Sequence, residues 1–203
     1  MKPDWAALRY EMLRWAAYRS IKHASMRFYV SMLPLALCIP VTVLWVLLPV
    51  KPSLTATSGG MLASILTMVA ALPGFFIAAL AAVATFNKPE MDEEMPAPCP
   101  QIRVLRAGKF VDVSLTRRTF LTYLFAYLSV LSLLLAGYCI AGQLLGPTAI
   151  HWIESASFVT WKKLSFGLTS AVYIFGLTYL IATMLVATLH GIYFIAERMH
   201  QPH

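Results

Sequence analysis

"TFLTYLFAYLSVLSLLLAGYCIAGQLL", residues 119–145, runs for 27 positions without one charged side chain. About 20 such residues in a helix, rising about 1.5 Å each, cross a hydrocarbon core of roughly 30 Å. Three more stretches read the same way: "FYVSMLPLALCIPVTVLWVLLPV" (28–50), "MLASILTMVAALPGFFIAALAAVATF" (61–86) and "FGLTSAVYIFGLTYLIATMLVATLHGIYFI" (166–195). In lipid the backbone must satisfy its own hydrogen bonds, which runs of this length do as helices. The expected fold is an all-α membrane protein, a four-span transmembrane domain over residues 28–195.

Composition agrees with that solvent. Hydrophobic residues make up 59% of the 203 and charged ones 12%, with a mean hydropathy of +0.70. Soluble domains carry about 25% charged residues. The 27 residues before the first span are rich in charge and do not have the short basic region and brief apolar core of a cleavable signal. The first span is therefore expected to stay in the mature protein. Cys38 and Cys139 fall in apolar runs and Cys99 in a polar loop, with no CxxC pair and no histidine at metal spacing. They read as idle thiols, and no metal or cofactor is expected.

The basic residues set an orientation. Lys2, Arg9, Arg14, Arg19, Lys22 and Arg27 precede the first span. Lys88, Arg103, Arg106, Lys109, Arg117 and Arg118 lie between the second and third, and Arg198 follows the fourth. Only Lys51, Lys162 and Lys163 fall on the other side. Thirteen against three places both termini and the 87–118 loop in the cytoplasm. Compactness and the absence of processing signals suggest a bacterial-type inner membrane. Of the two outer connections, "KPSLTATSGG" is a short turn, and "GPTAIHWIESASFVTWKKLS" is expected to lie along the interface, anchored by Trp152, Ile153, Phe158 and Trp161.

Residues 1–27 read as a cytoplasmic basic amphipathic helix. Trp5, Leu8, Met12, Trp15 and Ala16 share one face, and the net charge of +4 suits an anionic leaflet. Trp5, Arg9, Arg14, Trp15, Arg19 and Lys22 are the expected membrane-surface residues. Nucleic acid is not an expected partner, because basic excess on this side of a membrane protein serves orientation. Residues 196–203 are a short cytoplasmic tail.

The 87–118 loop is too long for a simple connector, which needs only a few residues. It opens with an acidic block (Glu90, Asp92, Glu93, Glu94), continues through "PAPCP", and ends in two β-prone runs around Ala107-Gly108 that fit a hairpin. A lone hairpin is marginal in water, so this one must rest on something. The loop is either a solvated connector whose acids face the basic N-terminal helix, or a docking platform for a cytoplasmic protein. In the second case Glu90, Asp92, Glu93, Glu94, Arg103, Arg106, Lys109 and Phe110 are the contact residues.

No Asp, Glu, Lys or Arg lies within the four spans, which disfavours an ion-coupled pump. No nucleophile-and-base pairing or HExxH cluster points to a membrane hydrolase. His190 shares a helix face with Thr183 and Gly191. That face is either a polar stripe along a pore or a tight packing surface, and packing carries more weight. Ser129, Ser132 and Gln143 raise the same question in the third span. Gly74, Ala78 and Ala82, and likewise Gly137 and Ala141, repeat at four-residue spacing, a pattern that favours close helix contacts and self-association. Pro34, Pro40 and Pro73-Gly74 are expected to interrupt the first two spans. The bare plan is similar to small four-span membrane subunits of bacterial multi-gene systems, some anti-phage defence systems among them. The expected function is a non-enzymatic inner-membrane subunit, a homo-oligomer acting as anchor, sensor or effector for a cytoplasmic partner. The alternative is a self-associated channel or pore.

Overall fold

The computed structural model describes residues 10, 12–22, 26, 28–48, 54, 60–85, 88–95, 99–106, 109–155 and 159–196. It is mostly helical and contains four helices long and apolar enough to cross a membrane. By length and composition the chain is a multi-pass membrane protein.

The first span begins with a π-helical turn, Phe28–Met32, and continues as α1, Leu33–Leu47. Pro34 lies just after the π-helical turn, so its missing N–H costs that turn one bond, and Pro40 is absorbed without a break. The second span is divided into α2, Met61–Val69, and α3, Leu72–Thr85. The break has a clear origin: Pro73 has no N–H to offer the Val69 carbonyl, and α2 stops at Val69. Two strands follow, β1 (Gln101–Arg106) and β2 (Lys109–Ser114), antiparallel and in register from Gln101↔Ser114 to Arg106↔Lys109. Then come α4, Arg117–Ser155, and α5, Val159–Ala196.

These last helices outrun the expected third and fourth spans. The connection expected to lie flat on the interface is helical through Ser155 and again from Val159, so Trp152 and Ile153 belong to α4. A helix entering from a long apolar run gains one bond per added residue, and Pro147 forfeits only one of them.

The chain forms two compact units. One comprises residues 1–30, 74–130 and 186–203, and holds the N-terminal segment, the hairpin, the first part of α4 and the last part of α5. Its buried side chains include Tyr18, Met91, Met95, Ile102, Leu115, Phe120, Leu124 and Phe194. The other comprises residues 31–73 and 131–185, with a core of Trp45, Leu62, Val69, Leu135, Cys139, Ile174 and Leu177. In that unit α4 and α5 are laced by a reciprocal pair of bonds. Tyr138 Oη donates to the Tyr173 carbonyl at 3.1 Å, Tyr173 Oη donates to the Tyr138 carbonyl at 2.9 Å, and the rings stack. Gly142 and Gly176 make room for it: a Cβ on either would collide with the facing tyrosine hydroxyl.

Candidate functional site

Of the expected N-terminal helix, Tyr10, Met12 and Met26 are α-helical and Arg14–Ser20 is wound as a 3-10 helix; most of the other positions lie outside the described residues. Ala17 and Tyr18 are buried, whereas Met12, expected on the apolar face, is 70% exposed. The reason is tertiary: this segment packs on protein, and its aromatic groups find partners on α4 and α5.

Arg14 shows how. Its Nη1 donates to the Arg103 carbonyl on β1 at 3.2 Å, its Nη2 donates to the Tyr123 hydroxyl on α4, and its guanidinium lies over the Tyr10 and Tyr123 rings. Trp15 stacks on Tyr127, with ring planes 8° apart. Arg14 and Trp15, expected on the membrane surface, are thus spent on intramolecular contacts. Arg19 and Lys22 are exposed, while Trp5 and Arg9 lie outside the described residues.

The hairpin rests on this segment. Lys22 N–H donates to the Gln101 carbonyl at 2.8 Å and Gln101 N–H returns a bond at 3.4 Å, extending β1 on its outer side. The Leu105 N–H donates to Tyr10 Oη, and Lys22 Nζ meets Asp112 Oδ2 at 2.6 Å. Ala107 and Gly108, expected at the turn, lie outside the described residues.

Among the described residues, the acidic block has partners in its own loop and at the start of α4. Asp92 takes two bonds from Arg118, at 2.7 and 2.9 Å. Glu93 lies 3.7 Å from Arg117, and Glu94 accepts from Ser114 Oγ at 2.6 Å. These acids surround the start of α4, where the helix dipole favours negative charge. Thr116 completes that end by capping the Thr119 N–H with its hydroxyl, and the Glu93 carbonyl accepts from Arg117 N–H. The side chains of Glu90 and Arg106 are outside the described set. Arg117 is only 5% exposed, so the block neutralises a charge that the fold has withdrawn from water.

β2 is different. Lys109, Phe110, Val111 and Asp112 are all exposed, Phe110 by 54%. Arg103 lies over the Phe110 ring, 5.5 Å from its centre, and Tyr10 meets that ring edge-on. Among the described residues β2 pairs with β1 alone, so its outer edge is free.

His190 sits in an aromatic enclosure. Tyr18 Oη lies 2.6 Å from its Nδ1, Tyr29 stacks on it with centroids 5.1 Å apart, and Phe120 meets it edge-on. Gly191 lets Leu124 approach beside it. Burial, with Tyr127 nearby, pushes the Tyr18 phenol well above the ordinary tyrosine range, so it serves as a neutral hydrogen-bonding group. Ser129, Ser132 and Thr183 are buried, and the first and last bond back to the carbonyls of Phe125 and Tyr179. Gln143 is half-buried, and its Nε2 finds no acceptor among the described residues. Gly74, Ala78, Ala82 and Gly137 are exposed, and a Cβ on Gly74 or Gly137 would meet nothing within 4 Å. Among the described residues, nothing therefore packs closely on Gly74 or Gly137.

Sequence reasoning missed Tyr18, Tyr123 and Tyr127, whose roles arise only when segments distant in sequence meet. No protein-family model matches the chain, and neither a characterised protein nor a solved structure shows significant similarity to it.

Proposed function

We propose that the chain is a non-enzymatic, self-associating subunit of a bacterial-type inner membrane, with both termini and residues 87–118 in the cytoplasm. Its hairpin, braced by the N-terminal segment, docks a soluble protein partner. The observation that carries this reading is the outer edge of β2, which has no strand partner among the described residues, with Phe110 and Val111 about half exposed. Proteins usually blunt or cover such edges, and an added strand from a partner would satisfy the edge and shield both side chains.

A protein partner fits better than the lipid surface. Two of the basic groups that would attract anionic headgroups are already engaged, Arg103 over Phe110 and Lys22 with Asp112. Bracing by Arg14, Tyr10 and the Lys22 bridge gives the hairpin a fixed shape to recognise. Self-association draws support from Gly74, Ala78 and Ala82, which present small side chains outward on α3 and so admit a close neighbour. The alternative of a pore draws little from the polar residues that would line it: His190 is enclosed by rings, Ser129 and Thr183 bond to their own helices, and Gln143 is left with its Nε2 unbonded among the described residues.

The test is the double variant Phe110→Asp/Val111→Asp. The change removes the ring contacts of Phe110 with Arg103 and Tyr10, so stability should fall by about 1 kcal/mol while insertion is kept, and the partner recovered in mild detergent is lost. Undiminished recovery would remove β2 from the interface. A cation conductance in reconstituted vesicles would favour the pore.

A further inference from the structure

The register of the hairpin leaves its positive charges poorly matched. Arg103 stands directly across from Asp112, the opposite-charge pairing that stabilises neighbouring strands. Yet Asp112 gives its carboxylate to Lys22 at 2.6 Å, and the Arg103 guanidinium lies over the Phe110 ring with its charge unneutralised. At the end where the strands are joined, the register pairs Arg106 with Lys109, two positive residues side by side. Like charges directly opposite destabilise a strand pair, and a nearby anion relieves them. Lys109 is exposed, and neither it nor Arg103 has a carboxylate partner among the described residues. The acids of the same loop are already taken, because Asp92, Glu93 and Glu94 meet Arg118, Arg117 and Ser114.

A strand added along the outer edge of β2 would set its side chains alternately on the two faces of the hairpin. One face of β2 carries Phe110 and Asp112, the second already paired with Lys22, and the other carries Lys109 and Val111. Apolar side chains of the added strand would cover Phe110, and the carboxylates between them would lie beside Lys109. We propose that the partner docks on β2 through an extended acidic segment in which carboxylate and apolar residues alternate. This inference rests on the reading of β2 as a docking edge and supplies the chemistry of what docks there. An anionic lipid surface offers the charge but no backbone to pair with the edge.

The probes are two fluorescein-labelled octapeptides, alternating Glu-Val and alternating Lys-Val, titrated against the purified full chain in phosphatidylcholine nanodiscs. Fluorescence anisotropy should show the Glu peptide binding at least about tenfold more tightly than the Lys peptide, and more weakly as salt is raised. Lys109→Gln, at an exposed side chain, should weaken the Glu peptide at least about threefold, whereas Lys109→Arg should hold it as the parent does. Phe110→Ser/Val111→Ser, which adds no charge, should abolish the binding. Tight binding of the Lys peptide, lost in Phe110→Ser/Val111→Ser, would overturn the acidic partner and leave β2 a docking edge. Glu-peptide binding that ignores Phe110→Ser/Val111→Ser would count against both, because positive charge elsewhere would then hold the peptide. No binding of either peptide, or undiminished binding to Lys109→Gln, would overturn the acidic segment alone. Loss of Glu-peptide binding once phosphatidylglycerol replaces about a quarter of the lipid would also overturn it, with Lys109 then held by headgroups.

Discussion

The Tyr18 hydroxyl lies 2.6 Å from His190 Nδ1, a hydrogen bond that joins residues 172 positions apart. It ties the N-terminal segment to the last helix, inside a ring cluster that includes Tyr29, Phe120 and Tyr127. The proposed docking face on β2 depends on this tie, because the hairpin leans on the same segment through Arg14 and Lys22.

Tyr18→Phe keeps the ring and removes the bond. Stability should fall by about 1–3 kcal/mol, the cost of a lost partner at a buried polar group. Tyr18→Ala also empties ring volume and should cost roughly 3–5 kcal/mol. Thermal unfolding in detergent gives the order, and faster proteolysis within residues 1–27 should accompany both losses.

Alkaline pH should find the same contact. An unfolded tyrosine ionises near pH 10, whereas burial raises the folded value for Tyr18. Its contribution is whole below about pH 10 and is lost as the pH climbs toward the folded value. Between about pH 9 and pH 11 the parent should therefore lose more stability than Tyr18→Phe. Parallel losses would mean that Tyr18 ionises freely in the fold.

The acidic block should behave as a structural brace. Substituting Asp92 with Asn and Glu93 with Gln should destabilise the free protein by about 1 kcal/mol, since both acids are largely exposed. The effect should shrink as salt is raised from 0.01 to about 0.15 M. A variant with unchanged stability but weakened partner binding would return these acids to the interface.

Glycines separate packing within the chain from packing between chains. Gly142→Leu and Gly176→Leu force the Tyr138–Tyr173 pair apart and should each cost about 1–3 kcal/mol. Gly74→Leu and Gly137→Leu meet open space and should stay within about 0.5 kcal/mol of the parent. Gly74→Leu should nevertheless reduce the oligomer mass seen by native mass spectrometry. An unaltered mass would leave the outward seam on α3 facing lipid alone.

The spans were legible because the bilayer imposes a length on every crossing, and an uncharged run of that length has few other uses. The hairpin was legible from its β-prone runs, as was its need for support. The support itself was not. Arg14 and Trp15 read as a membrane-facing stripe because a regular α-helix was assumed, yet partners on β1 and α4 draw them inward and the winding tightens to 3-10. Small residues misled in a related way. Four-residue spacing singled out Gly74 and Gly137 and passed over Gly142, which receives Tyr173, a match set by a side chain on the opposite helix. The acids were read by sign alone, and the basic residues nearest to them lay at the start of α4, in the same loop.

Site-specific photocrosslinking in living cells tests the docking claim most directly. A benzophenone side chain in place of Phe110 should form one discrete protein adduct, absent when the probe replaces Leu144, which is exposed along a membrane span. Adducts to lipid alone at position 110, or the same protein adduct at both positions, would contradict the account.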